Sequence, residues 1–201
     1  MRRRTLITTL AALVLTASAS GTALALTSGE EQQRPPFAHA YVGTVTGTLR
    51  TSGQVDTWTV KGLTFRLQNA RFVRGRWGGT YLVTGGRVSF TTNATGECKG
   101  TKSGSFSIGR LSWDAAAISF LQNLRSPGYD YQARVSKEHP VNVTRVCDDG
   151  YSTRELLSPG GGFWLGTDIN ERLVPGKRLV GRYVIREDRG TRTWTWNLLP
   201  R

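Results

Sequence analysis

The chain has 201 residues, and its 27 lysines and arginines against 14 acidic residues give a formal net charge of +13. Two cysteines are too few for a sulfur-rich zinc site, and two histidines that are not paired at helical spacing argue against a histidine-rich one. We therefore expect no metal and no cofactor. For an exported protein the basic excess favours anionic partners, and the alternative is a soluble surface that is merely rich in scattered arginines.

The first 25 residues have the pattern of a secretory signal peptide. Three arginines at positions 2 to 4 precede an apolar run rich in Ala, Leu and Thr, and Ala23-Leu24-Ala25 is a small-x-small cleavage site. An uncleaved membrane anchor is the alternative, but threonines and serines dilute the run. The sequence predicts a secreted or extracellular protein, released or held at the cell envelope, with no transmembrane segment after signal cleavage.

Residues 26–40 are predicted to form a flexible N-terminal tail, because they are rich in Glu, Gln and Pro and have no hydrophobic period. Residues 41–201 are predicted to form a single β-rich domain. Apolar and polar residues alternate there, as at Leu63, Phe65 and Leu67, and this is the period of a half-buried strand.

Two hairpins stand out in this region. Gly85 and Gly86 lie between two apolar runs and could supply the positive φ angles of a two-residue loop. Residues 179–198 form a second predicted hairpin, in which Trp194 and Trp196 share the face toward the core.

The period changes at residues 113–124, where three alanines follow an aspartate. The apolar residues at helical spacing are Ala117, Phe120, Leu121 and Leu124. This segment is predicted to be one short α-helix. With about ten strands and no strand–helix alternation, the predicted fold is all-β, a mainly antiparallel sandwich or small barrel. No motif ties the chain to a named family.

Cys98 and Cys147 are predicted to form a disulfide bond, since two lone cysteines outside the cytosol most simply pair. The bridge would close a loop of about 50 residues and would contribute roughly 4 kcal/mol by the loop-entropy model.

No catalytic motif is visible. His139 could serve as a base with Asp148 or Asp149 as its orienting partner, but no nucleophile elbow surrounds any serine. Asp168 and Glu171 offer one carboxylate pair among many for glycoside hydrolysis. An exposed turn histidine and solvated loop acids are the plainer interpretations, so we assign no catalytic residue.

The tryptophans are the most suggestive residues. Trp77 lies between glycines and two arginines, Arg74 and Arg76, and this cluster could stack on a sugar, a base or a lipid headgroup. Trp164 follows a glycine run, and either it or its neighbour Phe163 could face solvent. The alternative for Trp77 is a loop aromatic that folds back on the core.

The first functional hypothesis is a non-enzymatic extracellular or envelope-associated binding domain. Its partner would be an anionic cell-envelope polymer, a polysaccharide or another protein, and nucleic acid is not expected outside the cell. The candidate ligand-binding residues are Arg74, Arg76, Trp77 and Trp164. The alternative is a secreted hydrolase that acts on an extracellular polymer through loop carboxylates or His139.

Overall fold

The computed structural model describes residues 37–112, 114–123, 125, 128–187 and 190–201. These residues form twelve strands and a 3₁₀ turn at Pro159–Gly162. The strands are β1 (Ala40–Thr51), β2 (Gln54–Val73), β3 (Arg76–Ala94), β4 (Cys98–Ile108), β5 (Ala116–Gln122), β6 (Tyr129–Ser136), β7 (Val141–Cys147), β8 (Ser152–Leu157), β9 (Phe163–Gly166), β10 (Glu171–Leu173), β11 (Leu179–Glu187) and β12 (Gly190–Pro200).

One sheet contains most of these strands, in the order β10-β6-β5-β3-β2-β1-β12-β11. Every strand pairing in the described chain is antiparallel. The sheet bends so that β9, which pairs with β6, also contacts β1 and β12, giving the layering of a β-sandwich. The prediction of an all-β, mainly antiparallel fold is confirmed.

The hairpin of β2 and β3 is the longest element, with strands of 20 and 19 residues. Its register shifts between Lys61 and Thr64, where Gly62 has a φ of 62°. The predicted Gly85-Gly86 hairpin loop is wrong, because both glycines lie within β3 and Gly85 pairs with Thr64 across this irregularity. The glycines allow β3 to bend without reversing.

The predicted helix at 113–124 is also wrong over its described part. Residues Ala116–Gln122 form β5, which pairs with β3 on one side and β6 on the other. Its inner face buries Ile118 and Phe120, so the apolar residues follow a period of two. Helix propensity is a weak preference, and two neighbouring strands that each offer a hydrogen-bonding edge override it.

Aromatic side chains fill the core, and Trp58, Trp194 and Trp196 are almost completely buried, as the strand pattern predicts. The pair Trp194 and Trp196 shares one face of β12 with Leu198, which is fully buried. The final hairpin, β11 and β12, is also confirmed.

The folded part begins slightly before the predicted start at Tyr41. Phe37 is buried against Phe120 and Tyr129, and Ala40 begins β1. The backbone of Ala40 exchanges two hydrogen bonds with that of Arg201, at 3.0 and 2.8 Å. The predicted signal peptide and residues 26–36 of the predicted tail lie outside the described residues. Within the described part, no helix is long and apolar enough to cross a membrane.

The predicted disulfide is confirmed. Cys98 and Cys147 lie opposite each other where β4 pairs with β7, and they form the bond. They clamp a small sheet of β4, β7 and β8, which has its own buried cluster of Ala94, Val143 and Leu157.

Candidate ligand-binding groove

The tip of the β2–β3 hairpin builds one side of a concave surface. Arg74 and Gly75 form a two-residue turn, with φ angles of 51° and 76°. Positive φ at both positions is the geometry of the tight turns that suit twisted hairpins. An arginine in the left-handed region is strained, and here the strain places a guanidinium group at the rim of a groove.

The groove has a volume of about 780 Å³ and opens to solvent. We call it the arginine groove. It is lined by Asn69, Arg71, Arg74, Arg76, Gly78, Gly79, Thr80 and Leu121. Its floor is low because Gly78 has no side chain, and a Cβ there would come within 3.3 Å of Leu121 Cδ1.

The charged residues that line the arginine groove are all positive. Three of its lining residues are arginines and none is acidic. Among the described residues, ion pairs within 4.0 Å occur elsewhere, at Arg145–Glu155 and Arg192–Glu187. A guanidinium group presents several N–H donors in a planar fork that matches carboxylate and phosphate oxygens. The groove is therefore chemically suited to an anion.

A polar row continues from the arginine groove across four strands. Asn69 of β2 lies opposite Thr80 of β3, which lies opposite Ser119 of β5, which lies opposite Gln132 of β6. Asn69 and Gln132 are exposed, and Thr80 and Ser119 are half-buried. We call these four residues the amide–hydroxyl row.

Two smaller hollows lie along the same face. One of about 320 Å³ shares Leu121 with the arginine groove and includes Ser119, Asp130 and Gln132. The next, of about 250 Å³, shares Ser119 and Gln132 and reaches Arg134. The three concave regions together follow the outer face of β2, β3, β5 and β6.

The structure brings only two of the four sequence-predicted binding residues into this groove. Arg74 and Arg76 line it, whereas Trp77 faces the opposite side of β3. Trp77 packs with Phe37 and Phe72, with ring centroids 6.0 and 5.6 Å away, and is half-buried against the core. The alternative interpretation of Trp77, a loop aromatic that folds back on the core, agrees with this packing, although Trp77 lies in β3 and not in a loop.

Trp164 is fully buried, so it is not at a binding surface. Its indole Nε1 donates a hydrogen bond of 2.9 Å to the carbonyl of Lys137, and its own carbonyl accepts one of 3.1 Å from Trp58 Nε1. The expectation that Trp164 could face solvent is wrong, because β9 turns it into the core while Phe163 is only half-buried.

The residues considered for a catalytic triad, His139 and the aspartates of the following turn, do not hydrogen-bond to one another in the described structure. His139 stacks on Phe106 at a centroid distance of 4.0 Å, and no described serine or aspartate hydrogen-bonds to it. Asp149 instead accepts a hydrogen bond of 2.9 Å from the backbone of Tyr151 and stabilises the turn before β8.

Asp168 and Glu171 are linked by a backbone hydrogen bond of 3.4 Å, which the N–H of Glu171 donates to the carbonyl of Asp168. Burial raises the pKa of Glu171, and the neighbouring charge of Asp168 raises it further. Glu171 is at the inner face of the short edge strand β10, opposite Tyr131. Tyr131, whose pKa is also raised by burial, accepts a hydrogen bond from Trp196 Nε1.

The polar residues Asn69, Arg71 and Thr80 of the groove were not among the sequence-predicted binding residues. Arg71 lies close in sequence to Arg74 and Arg76, and this local clustering of arginines is a signal that could have indicated it. The contact with Leu121 depends on the pairing of β3 with β5, which no local pattern reveals.

A metal site is not indicated in the described part of the chain, where no three His, Cys, Asp or Glu side chains are grouped suitably. Comparison with protein-family models, curated protein sequences and solved structures gave no match for this chain. Its function therefore has to be inferred from its own residues and their geometry.

Proposed function

We propose that this protein is an exported, non-enzymatic binding domain that holds an anionic polymer in the arginine groove. The observation that carries the proposal is the convergence of Arg71, Arg74 and Arg76 on one concave surface with no acidic lining residue. Guanidinium groups bind carboxylate and phosphate oxygens in bidentate geometry, and the hairpin places Arg71 and Arg76 on its strands and Arg74 in its turn.

Two further features support the proposal. After removal of residues 1–25, which contain three arginines and no acidic residue, 24 lysines and arginines would face 14 acidic residues, and this formal net charge of +10 creates a long-range attraction to anionic surfaces. The disulfide between Cys98 and Cys147 is compatible with an extracellular location, and so is the signal-like pattern of residues 1–25. The domain would then meet its partner outside the cell or at the envelope.

The proposal is tested by fluorescence anisotropy with two end-labelled polyanions, polygalacturonate and inorganic polyphosphate. In the groove variant, Arg71, Arg74 and Arg76 are all replaced by Gln. We expect its affinity for at least one polyanion to fall about tenfold, since each exposed ion pair contributes roughly 0.2–1 kcal/mol. Binding by the unaltered protein should weaken as salt is raised.

A matched control variant removes the same charge elsewhere. Arg178, Arg182 and Arg186 are exposed in or beside β11, and replacing all three by Gln should change affinity little. If this control loses as much affinity as the groove variant, binding reflects net charge and the groove has no special role. Failure of the unaltered protein to bind either polymer would overturn the proposal.

A second candidate function is hydrolysis of an extracellular polymer, and the raised pKa of Glu171 is the observation that favours it. A raised pKa favours the protonated form that a general acid needs, and Asp168 would be the second carboxylate. Release of reducing ends from polysaccharides that is abolished in both E171Q and D168N would support this function. Unchanged release in both variants would exclude these two residues.

A further inference from the structure

We propose that the bound polymer is an acidic polysaccharide that lies across β2, β3, β5 and β6. Its carboxylates would meet the arginine groove and its hydroxyls would meet the amide–hydroxyl row. This inference rests on the proposed function and specifies its ligand, which the arginines alone do not define.

The first argument is the alignment of the row. Asn69, Thr80, Ser119 and Gln132 occupy successive cross-strand positions on four adjacent strands. Neighbouring strands are about 4.8 Å apart, so the row presents polar groups at regular steps over roughly 14 Å. A polymer with hydroxyl groups on each unit can form hydrogen bonds along such a row.

The second argument is that these side chains retain their hydrogen-bonding capacity. Other residues of the same strands do form side-chain hydrogen bonds, such as Asp130 with Asn123 and Gln122 with the backbone of Trp77. The four members of the row have no side-chain hydrogen bond to another described residue. Amide and hydroxyl groups each offer both donors and acceptors, as sugar hydroxyls do.

The third argument is the uneven distribution of charge along the face. The arginine groove carries three cations, whereas the hollow beside it contains the carboxylate of Asp130. The third hollow is lined by both Arg134 and Asp114, so it contains one positive and one negative side chain. A densely charged polymer such as polyphosphate, whose repeating unit is a single phosphate group, would bring many anions close to these carboxylates. In an acidic polysaccharide the carboxylates are separated by whole sugar units that carry neutral hydroxyls, so fewer anions would meet Asp130 and Asp114.

The fourth argument concerns stacking. Single-stranded nucleic acids bind through aromatic side chains on which their bases stack. The residues that line the arginine groove in the described structure are not aromatic, and Phe72 and Trp77 lie on the other face of the hairpin. The groove therefore fits a polyhydroxylated ligand better than a base-containing one.

The test uses a variant that leaves the charge unchanged. In the row variant, Ser119 and Gln132, the two members of the row that do not line the arginine groove, are replaced by Ala. Neither side chain has a hydrogen bond to another described residue. Loss of two ligand hydrogen bonds should weaken polygalacturonate binding about fivefold. Polyphosphate and a single-stranded dT oligonucleotide should bind the row variant and the unaltered protein equally.

The control variant replaces Thr195 and Asn197, which are exposed on the outer face of β12, by Ala and should bind polygalacturonate normally. Thermal unfolding of all variants checks that the fold is intact. If the row variant binds polygalacturonate normally while the groove variant still loses polyphosphate binding, this inference is overturned and the proposed function survives. If the unaltered protein binds neither polyanion, both fail.

Discussion

Asp56 is a buried acid whose carboxylate is satisfied by neutral donors. It accepts hydrogen bonds from Thr92 Oγ1, from Gln54 Nε2 at 2.6 Å and from the backbone N–H of Gly160 at 2.6 Å. Several hydrogen bonds to the charged form offset the cost of taking a carboxylate out of water. Asp56 thereby fixes the glycine-rich 3₁₀ turn to β2, and this segment is not the flexible loop that its composition suggests.

The folded environment of Glu171 favours the protonated form of its carboxyl group. Its pKa is raised above the ordinary value of 4.5, so the folded state binds more protons than the unfolded state between 4.5 and the raised pKa. The stability that Glu171 contributes is complete below pH 4.5 and is lost as the pH rises through the folded pKa.

We predict that E171Q removes this dependence. In urea unfolding at pH 4 and pH 7, the variant should gain stability relative to the unaltered protein as the pH rises. E97Q, at an exposed position, makes the same charge change and serves as the control. A stability difference between E171Q and the unaltered protein that stays constant from pH 4 to pH 7 would contradict the prediction.

For single residues, sequence patterns predict burial more reliably than they predict contacts between side chains that are distant in the sequence. Alternation along β12 correctly indicates that Trp194 and Trp196 face the core. The arginine groove depends on Leu121, which is 50 residues from Arg71 in the chain and reaches the groove only through the pairing of β5 with β3. Such pairing is set by the whole sheet.

The strand β5 shows why short apolar segments are ambiguous at the scale of elements. Its alanines favour a helix, yet Ile118 and Phe120 also satisfy a two-residue period, and a segment of seven residues fits either pattern. The decisive factor is the exposed edge of β3, which needs a partner for its backbone groups between Gly78 and Leu82. That requirement arises from a distant part of the chain.

The edge of β3 is shared by two strands, and this explains the misassigned glycine pair. β5 covers Gly78–Leu82, and β4 covers Gly86–Ala94. Gly85 and Gly86 lie where one partner gives way to the other, so they mark a change of neighbour along a continuous strand. A glycine pair flanked by alternating residues has the same sequence signature in both situations.

The disulfide stabilises the smaller sheet, whose buried cluster contains only three side chains. We predict that replacing both Cys98 and Cys147 by Ser lowers the free energy of unfolding by about 4 kcal/mol, the loop-entropy value for a separation of 49 residues. Chemical denaturation measures the change. Polyanion affinity should remain, since the arginine groove lies on β2, β3 and β5. Unchanged stability would show that packing alone holds β4 to β7.

On the scale of the whole molecule, the groove and the core occupy opposite faces of the same strands. Tyr81, Ile118 and Tyr131 point inward and are almost completely buried, whereas their neighbours Thr80, Ser119 and Gln132 form the outer row. Because close-packed interiors resist deformation, the core should hold the outer side chains in a fixed arrangement. Ligand binding would then require little reorganisation of the backbone.

Ala40 and Arg201 are joined by two backbone hydrogen bonds, so these two residues lie side by side. The chain could therefore be joined at this point and opened elsewhere without a change in which strands are neighbours. A flexible linker from Arg201 to Phe37, with new termini opened between the exposed residues Gly176 and Lys177, would give a circular permutant with the same set of neighbours. Its circular-dichroism spectrum should match that of the original chain, and a loss of β-structure would show that the connection between β10 and β11 guides folding.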